Sequence, residues 1–393
     1  MPRLLTRMSA RDTSEAHRSS SPLELLFDLV FVAAIAQVAA QLAHSIADGH
    51  ALETLGPYLM VFFAIWWAWM NFTWFASAYD TDDVPYRVLV LVQMAGVLIL
   101  AAGVPSAFSG ADGGFTAVTV GYLVMRVGLV ALWLRAGVQH PEGRATAFRY
   151  AAGITLVQIL WVSRLALPDG GPWWIFLIIA AADLSVPLWA ERTGHTAWHP
   201  HHIAERYGLF TIIVLGESVL AATVGVQDAL EGGGLSVDLI VIALAGLTLL
   251  FVLWWLYFSE PAGDGLARRR DLSFVWGYGH YLIFASLAAV GAGLEVAVES
   301  AGHHTETPET VVALAVAVPT AVFLVMLWAV HAPIVDRVVI DPVAIGVSAV
   351  LVVASAFLAP AAGVAGALIA IVVVLVALLA VTLRSEAKRE PQL

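Results

Sequence analysis

The chain has no cysteine, which excludes disulfides, thiolate metal sites and thiol nucleophiles. Charge is scarce: Asp, Glu, Lys and Arg make up only 12% of the 393 residues, about half the roughly 25% of a soluble domain. That is too little to coat a water-exposed surface. The net charge is -11 and there is no basic face to neutralise phosphates, so nucleic acid is not an expected partner. No Walker A loop, dinucleotide fingerprint or G-x-S-x-G elbow stands on a suitable strand–turn–helix. ATP-driven chemistry within the chain is therefore not expected, and the sequence requires no cofactor.

What is present is hydrocarbon. Hydrophobic residues make up 60% of the chain, and the mean hydropathy is +0.85. A helix needs about 20 apolar residues to cross a ~30 Å hydrocarbon layer. On that rule the sequence predicts an all-α, polytopic integral membrane protein with about twelve spans. They fall near 24–46, 54–76, 86–105, 114–136, 146–167, 172–190, 206–226, 236–258, 272–297, 309–332, 339–359 and 363–383. The last two are separated only by Ala359-Pro360-Ala361-Ala362-Gly363.

Basic residues orient these spans. With the N-terminus inside, the inner loops hold Arg87, Arg135, Arg144, Arg149, Arg192, Arg206, Arg268, Arg269, Arg270 and Arg337. The tails add Arg3, Arg7, Arg11, Arg18, Arg384, Lys388 and Arg389, so 17 of the 19 basic residues fall inside and only Arg126 and Arg164 do not. This is the positive-inside pattern, and it predicts N-in, C-in topology. Residues 1–20 are polar and lack the features of a signal peptide; they read as a mobile cytoplasmic tail, as do 386–393.

A faint internal repeat divides the remainder into 21–195 and 196–385. Phe62-Phe63-Ala64-Ile65-Trp66-Trp67 resembles Leu250-Phe251-Val252-Leu253-Trp254-Trp255. A charged inner loop follows each, then a polar residue within the next span, Gln93 or His280. Glu24-to-Gln37 is matched upstream by Glu205-to-Glu217. Six spans per copy is an even number, so the copies would be parallel, related by an axis along the membrane normal.

These residues also carry a resemblance. Glu24-Leu-Leu-Phe27-Asp28-Leu-Val-Phe31-Val, then Trp66-Trp67-Ala68-Trp69 leading to Tyr79-Asp80-Thr81-Asp82-Asp83, are two of its parts. The others are His202-Ile203-Ala204-Glu205-Arg206-Tyr207-Gly208-Leu209 running into Leu215-Gly216-Glu217-Ser218, and Arg270-Asp271 with His280. In that order, over roughly residues 20–385, they resemble the bacterial low-temperature-requirement A (LtrA) family. The resemblance implies a multi-pass membrane protein; the family takes its name from a cold-growth phenotype and implies no particular substrate or reaction.

Ionisable groups in hydrocarbon are costly and usually face a bundle interior or cavity. Glu24 and Asp28 lie one turn apart on one helix face. Ser21-Pro22-Leu23-Glu24 also reads as a capping box with Pro at the first helical position. Asp28 is beyond any cap, and reads either as the partner of a buried arginine or histidine or as a pathway acid. Glu217 sits near mid-span beside Gly216, which would admit a close neighbour. Arg126 needs a carboxylate, with Asp28, Asp183 and Glu217 as candidates. Gln93, Gln158, Asp183 and His280 complete the polar set, His280 reading equally as a core histidine. Trp66, Trp67 and Asn71 could line a cavity.

His201, His202 and Glu205 are at i,i+3 and i,i+4 spacing and could offer metal ligands; the other reading is a solvated loop in which Glu205 pairs Arg206 or caps the helix. Asp80, Asp82 and Asp83 read as an oxygen-ligand site or as a capped turn.

Three functions fit. The first is a transporter or permease of a small solute or ion, with Glu24, Asp28, Gln93, Arg126, Asp183, Glu217 and His280 as its path residues facing a shared, partly wet centre and the carboxylates among them coupling movement to protons. The second is a structural or stress-adaptation membrane protein without turnover. The third is a metal-dependent intramembrane enzyme acting on a lipid or isoprenoid. The expected partners are the bilayer, a small molecule or ion and a second copy of the chain.

Overall fold

A computed structural model describes residues 4–12, 15, 19–109, 113–232, 236–260, 262–302, 307–335 and 339–387. Arg3, Arg18, Arg337, Lys388 and Arg389 of the charge pattern lie outside them. Among the described residues there is no strand. The first six helices are α1 (Pro22–Ala47), α2 (Ala51–Ala78), α3 (Val84–Phe108), α4 (Thr116–Gln139), α5 (Arg144–Arg164) and α6 (Trp173–Ala190). They are followed by α7 (Pro200–Gly232), α8 (Val237–Phe258) and the short α9 (Ala262–Arg268). The last four are α10 (Ser273–Ala301), α11 (Glu309–His331), α12 (Pro342–Ala356) and α13 (Ala359–Ala387).

Among the described residues, 10 helical stretches are long and apolar enough to cross a membrane. Two helices at expected spans are not among the 10: α7, with 33 residues, and α12, with 15, short of the ~20 a crossing needs. The ends show why. Asp341 caps α12, accepting from the amides of Val343 and Ala344 at 2.9 and 3.0 Å, with Pro342 in the first turn. The weak turn predicted at Ala359–Gly363 is a kink within α13, where Gly363 takes φ 71°, a left-handed conformation that glycine adopts without steric cost. The start of α7 is the largest departure. It begins at Pro200 rather than near 206, because the polar residues that read as loop are buried on a helix face.

The chain groups into two compact units, residues 1–38 with 57–206, and 39–56 with 207–393. The segment around the α1–α2 turn, residues 39–56, belongs with the second unit.

In the first unit, α3 packs on α4, α4 on α5 and α5 on α6. The α3–α4 approach is close because Gly96 faces Gly121: a Cβ on Gly121 would meet the Leu100 backbone nitrogen at 2.4 Å. Small residues let backbones approach where hydrophobic burial gives no drive between helices. Trp133 stacks on Tyr150 at 4.1 Å and 5°, and Phe27, Phe31, Phe72 and Tyr86 are fully buried.

The described part of the N-terminal tail is not loose. Thr6 N donates to Asp83 Oδ2 at 2.8 Å, Met8 N to Gln139 Oε1 at 2.7 Å and Arg11 N to the Ala78 carbonyl at 3.0 Å. Polar composition concealed this, since the tail is bound through its backbone.

In the second unit, α10 packs on α11, α11 on α12, and α13 on α12 and α8. A Cβ on Gly293 of α10 would meet the Ala315 carbonyl at 2.5 Å.

Candidate functional site

Two buried polar clusters stand out in the first unit. The larger is built on Arg206, whose guanidinium is fully enclosed. Its Nε donates to Asp28 Oδ2 at 2.9 Å and its Nη2 to Asp28 Oδ1 at 2.5 Å. Nη1 donates to Glu24 Oε1 at 2.9 Å and Nη2 reaches Thr73 Oγ1 at 3.3 Å. Trp69 Nε1 donates to Asp28 Oδ1 at 2.7 Å. His202 Nε2 lies 3.1 Å from the Glu24 oxygen that Arg206 binds. Paired N–H donors on one carboxylate are a strong, orienting arrangement.

Local sequence explains the placement. Ser21 and Glu24 form the predicted capping box, Ser21 N donating to Glu24 Oε2 at 2.8 Å and Glu24 N to Ser21 Oγ at 3.3 Å. Asp28 then falls one turn on. His202 and Arg206 are likewise one turn apart on α7. Acids in the first turns of α1 also meet the favourable end of that helix dipole.

The second cluster is built on Arg126 of α4. Its Nη2 donates to Tyr122 Oη and forms an ion pair with Asp183 Oδ2 at 3.2 Å. Tyr122 Oη donates to the same oxygen at 2.8 Å, and Trp161 Nε1 at 3.0 Å. Of the three acids considered for Arg126, the partner is Asp183. Asp28 and Arg126 have different ion-pair partners, Arg206 and Asp183.

In the second unit, His280 is a core histidine with both ring nitrogens engaged: Nδ1 with the Trp276 carbonyl at 2.8 Å and Nε2 with Tyr257 Oη at 3.2 Å. His331 packs edge-on to it at 5.6 Å. Glu217 on α7 is half-buried within electrostatic reach of Glu295, and its Oε2 has no hydrogen-bond partner among the described residues. Among the described residues, a Cβ at Gly216 would meet nothing within 4 Å.

Residues 19–382 match the family model described as Bacterial low temperature requirement A protein (LtrA). The chain belongs to the LtrA family. It is also 27% identical over 308 residues to an uncharacterized protein of Rhizobium meliloti (strain 1021), covering 73% of this chain and 71% of that one. With the helices above, membership makes the chain a multi-pass membrane protein.

Other sequence-predicted residues of this LtrA member are placed apart. His201 is exposed, His202 faces Glu24, and Glu205 Oε1 accepts from Ser20 N at 3.3 Å. The expected metal set therefore does not converge, and no group of three His, Asp or Glu suited to a metal occurs among the described residues. The acidic loop is divided among arginines: Asp80 pairs with Arg11 at 3.3 Å, Asp82 with Arg87 at 2.8 Å and Asp83 with Arg135 at 2.5 Å. Asp83 is also the N-cap of α3, accepting from Tyr86 N at 3.1 Å.

Trp66 and Trp67 are buried against each other at 5.4 Å and against Phe63. Asn71 turns its amide back to the Trp67 carbonyl at 2.7 Å. Gln93 is buried against α4, where Gly128 leaves room for it: a Cβ there would lie 2.8 Å from Gln93 Cγ.

The residue that sequence reasoning missed is Arg206, assigned to an inner loop. Its signal was the four-residue spacing from His202 just before an apolar run, which places both on one face of a helix begun earlier.

Proposed function

We propose that the protein is an inner-membrane permease of a small solute or ion, coupled to protons, with both termini in the cytoplasm and twelve crossings, α7 and a short α12 that the bilayer thins to meet among them. The charge pattern of the loops supports the orientation, and family membership supports the membrane location. One observation carries the coupling. The cluster of Glu24, Asp28, Arg206 and His202 is buried, yet holds two carboxylates against one guanidinium. Among the described residues it is electrically neutral only when it takes up one more proton, shared between His202 and Glu24 at 3.1 Å. An uncompensated buried charge is costly, so this proton is held when the cluster is closed. It can leave while the Asp28–Arg206 pair stays intact.

The test is solute flux in proteoliposomes carrying a trapped pH indicator, with and without a pH gradient. Wild-type protein moves solute and protons together; Glu24→Gln and Glu217→Gln lose the coupling. Equal signals from wild type, both variants and Asp28→Asn would count against transport.

A second reading, a structural or cold-adaptation protein without turnover, is favoured by the closure of Asp28 and Asp183 in ion pairs. It predicts that these variants, where they fold, still rescue a deletion strain in the cold.

A further inference from the structure

Between α4 and α5 lies a groove of about 650 Å³, walled by apolar side chains that include Leu123, Val130 and Val162. Its volume is within the roughly 300–1,000 Å³ of small-molecule sites. Val127, Leu134 and Ile159 on its rim are large, exposed and apolar, so on a membrane helix pair the groove opens to lipid. Two of its polar side chains are deep-set, Arg126 at 2% exposed and Gln158 at 6%; Thr155 and Ser163 are exposed and turn their hydroxyls to the Ala151 and Leu160 carbonyls of their own helix. Among the described residues, neither Arg126 Nη1 nor either amide atom of Gln158 has a hydrogen-bond partner. Buried polar groups without partners are costly, and here they lie along one apolar groove.

The chemistry narrows the occupant. Arg126 is the eleventh residue of α4, about 15 Å along the helix from its start, so a water-soluble solute would have to leave its hydration behind to reach it. The arginine's charge is already balanced by Asp183, so an anionic head would bring excess charge into the site. What remains unmet is hydrogen bonding: two N–H donors on Nη1, and an amide that donates and accepts. A neutral head with carbonyl or hydroxyl oxygens on an apolar tail satisfies these groups without adding charge.

We propose that this groove binds a membrane quinone, its ring oxygens meeting Arg126 and Gln158 and its isoprenoid tail lying along the apolar walls. The proposal rests on the first unit alone, so it stands or falls separately from transport.

The test uses protein in phosphatidylcholine nanodiscs titrated with decylubiquinone, read by quenching of tryptophan fluorescence; Trp161 is bonded to Asp183 behind the groove. Gln158→Leu removes both amide atoms at similar size, and Ala131→Trp fills the groove from a half-buried wall position. Neither touches the Arg126–Asp183 pair, and thermal melts report their folding. Saturable quenching is expected, weakened about tenfold by Gln158→Leu, the scale of one lost hydrogen bond, and abolished by Ala131→Trp. Oleate at equal concentration leaves it unchanged. Identical titrations for wild type and both folded variants would overturn the assignment, as would displacement by oleate, which would indicate an anionic lipid instead.

Discussion

Arg206 grips Asp28 with two nitrogens on two oxygens, Nε to Oδ2 at 2.9 Å and Nη2 to Oδ1 at 2.5 Å, both residues shut off from solvent. They are 178 positions apart in sequence, so the contact ties the start of α7 to α1. Such a pair need not add stability relative to an apolar replacement, but neither partner tolerates losing the other.

Single substitutions should therefore be worse than the double. Arg206→Met alone is expected to cost about 3–5 kcal/mol by leaving two buried carboxylates without a cation, and Asp28→Asn less than that, since Glu24 still balances the guanidinium. Asp28→Leu with Arg206→Met should cost less than the two singles combined. Thermal unfolding in detergent reads the difference; additive losses would mean that the groups act independently.

How much of this was legible in sequence differed by residue. Helix positions were readable because apolar length and loop arginines report on the bilayer directly, and the Ser21–Glu24 box because its partners are three residues apart. Pairings across the chain were not. Asp28 and Arg126 each needed an opposite charge, but spacing does not choose among several acids and arginines far apart in sequence. Arg206 went unnoticed because a polar stretch before an apolar run looks like a loop unless its buried face is known. The matched tryptophans of the apparent repeat also differ in setting. Trp66 and Trp67 are buried, whereas Trp254 and Trp255 are 43% and 47% exposed, a distinction that identical residue types conceal.

The second cluster separates a bridging hydroxyl from a charge. Tyr122→Phe removes the donor to Asp183 but leaves the direct Arg126–Asp183 contact at 3.2 Å. A loss of about 1.5–3 kcal/mol is expected, the range for a hydrogen bond to a charged group. Asp183→Asn should cost more, since it isolates a buried guanidinium. If the melts reverse that order, Tyr122 rather than the ion pair holds α4 and α6 together.

Two glycines offer a matched contrast in backbone proximity. Gly121→Ala drives a methyl into the Leu100 backbone at 2.4 Å, and overpacking of this kind costs about 1–3 kcal/mol. Gly216→Ala meets nothing within 4 Å and should be neutral or stabilising by up to about 1 kcal/mol, the usual helix preference for alanine. Equal effects on unfolding temperature would show that α3 and α4 can separate freely.

At the boundary of α3, Asp83 gives a pH-dependent anchor for the N-terminal segment. Burial alone would raise its carboxyl, but the Arg135 guanidinium and the amides of Thr6 and Tyr86 outweigh that and hold it at about 2. An unpaired aspartate titrates near 3.9. Because the folded value is the lower one, the stabilisation is fully present above about pH 4 and is lost as pH falls toward 2. Residues 4–12 should then detach first, since Thr6 N bonds the same carboxylate and Arg135 bonds the Thr6 carbonyl. Protection of the Thr6 and Met8 amides, taken relative to the intrinsic exchange rate at each pH, should be high at neutral pH and fall on acidification through that window. In Asp83→Asn it should be low at both ends of the range, because the neutral amide no longer holds Arg135. Protection that stays constant from pH 5 down to pH 2 in the wild type would show that the segment is held by its other contacts, such as Met8 N to Gln139, and not by this carboxylate.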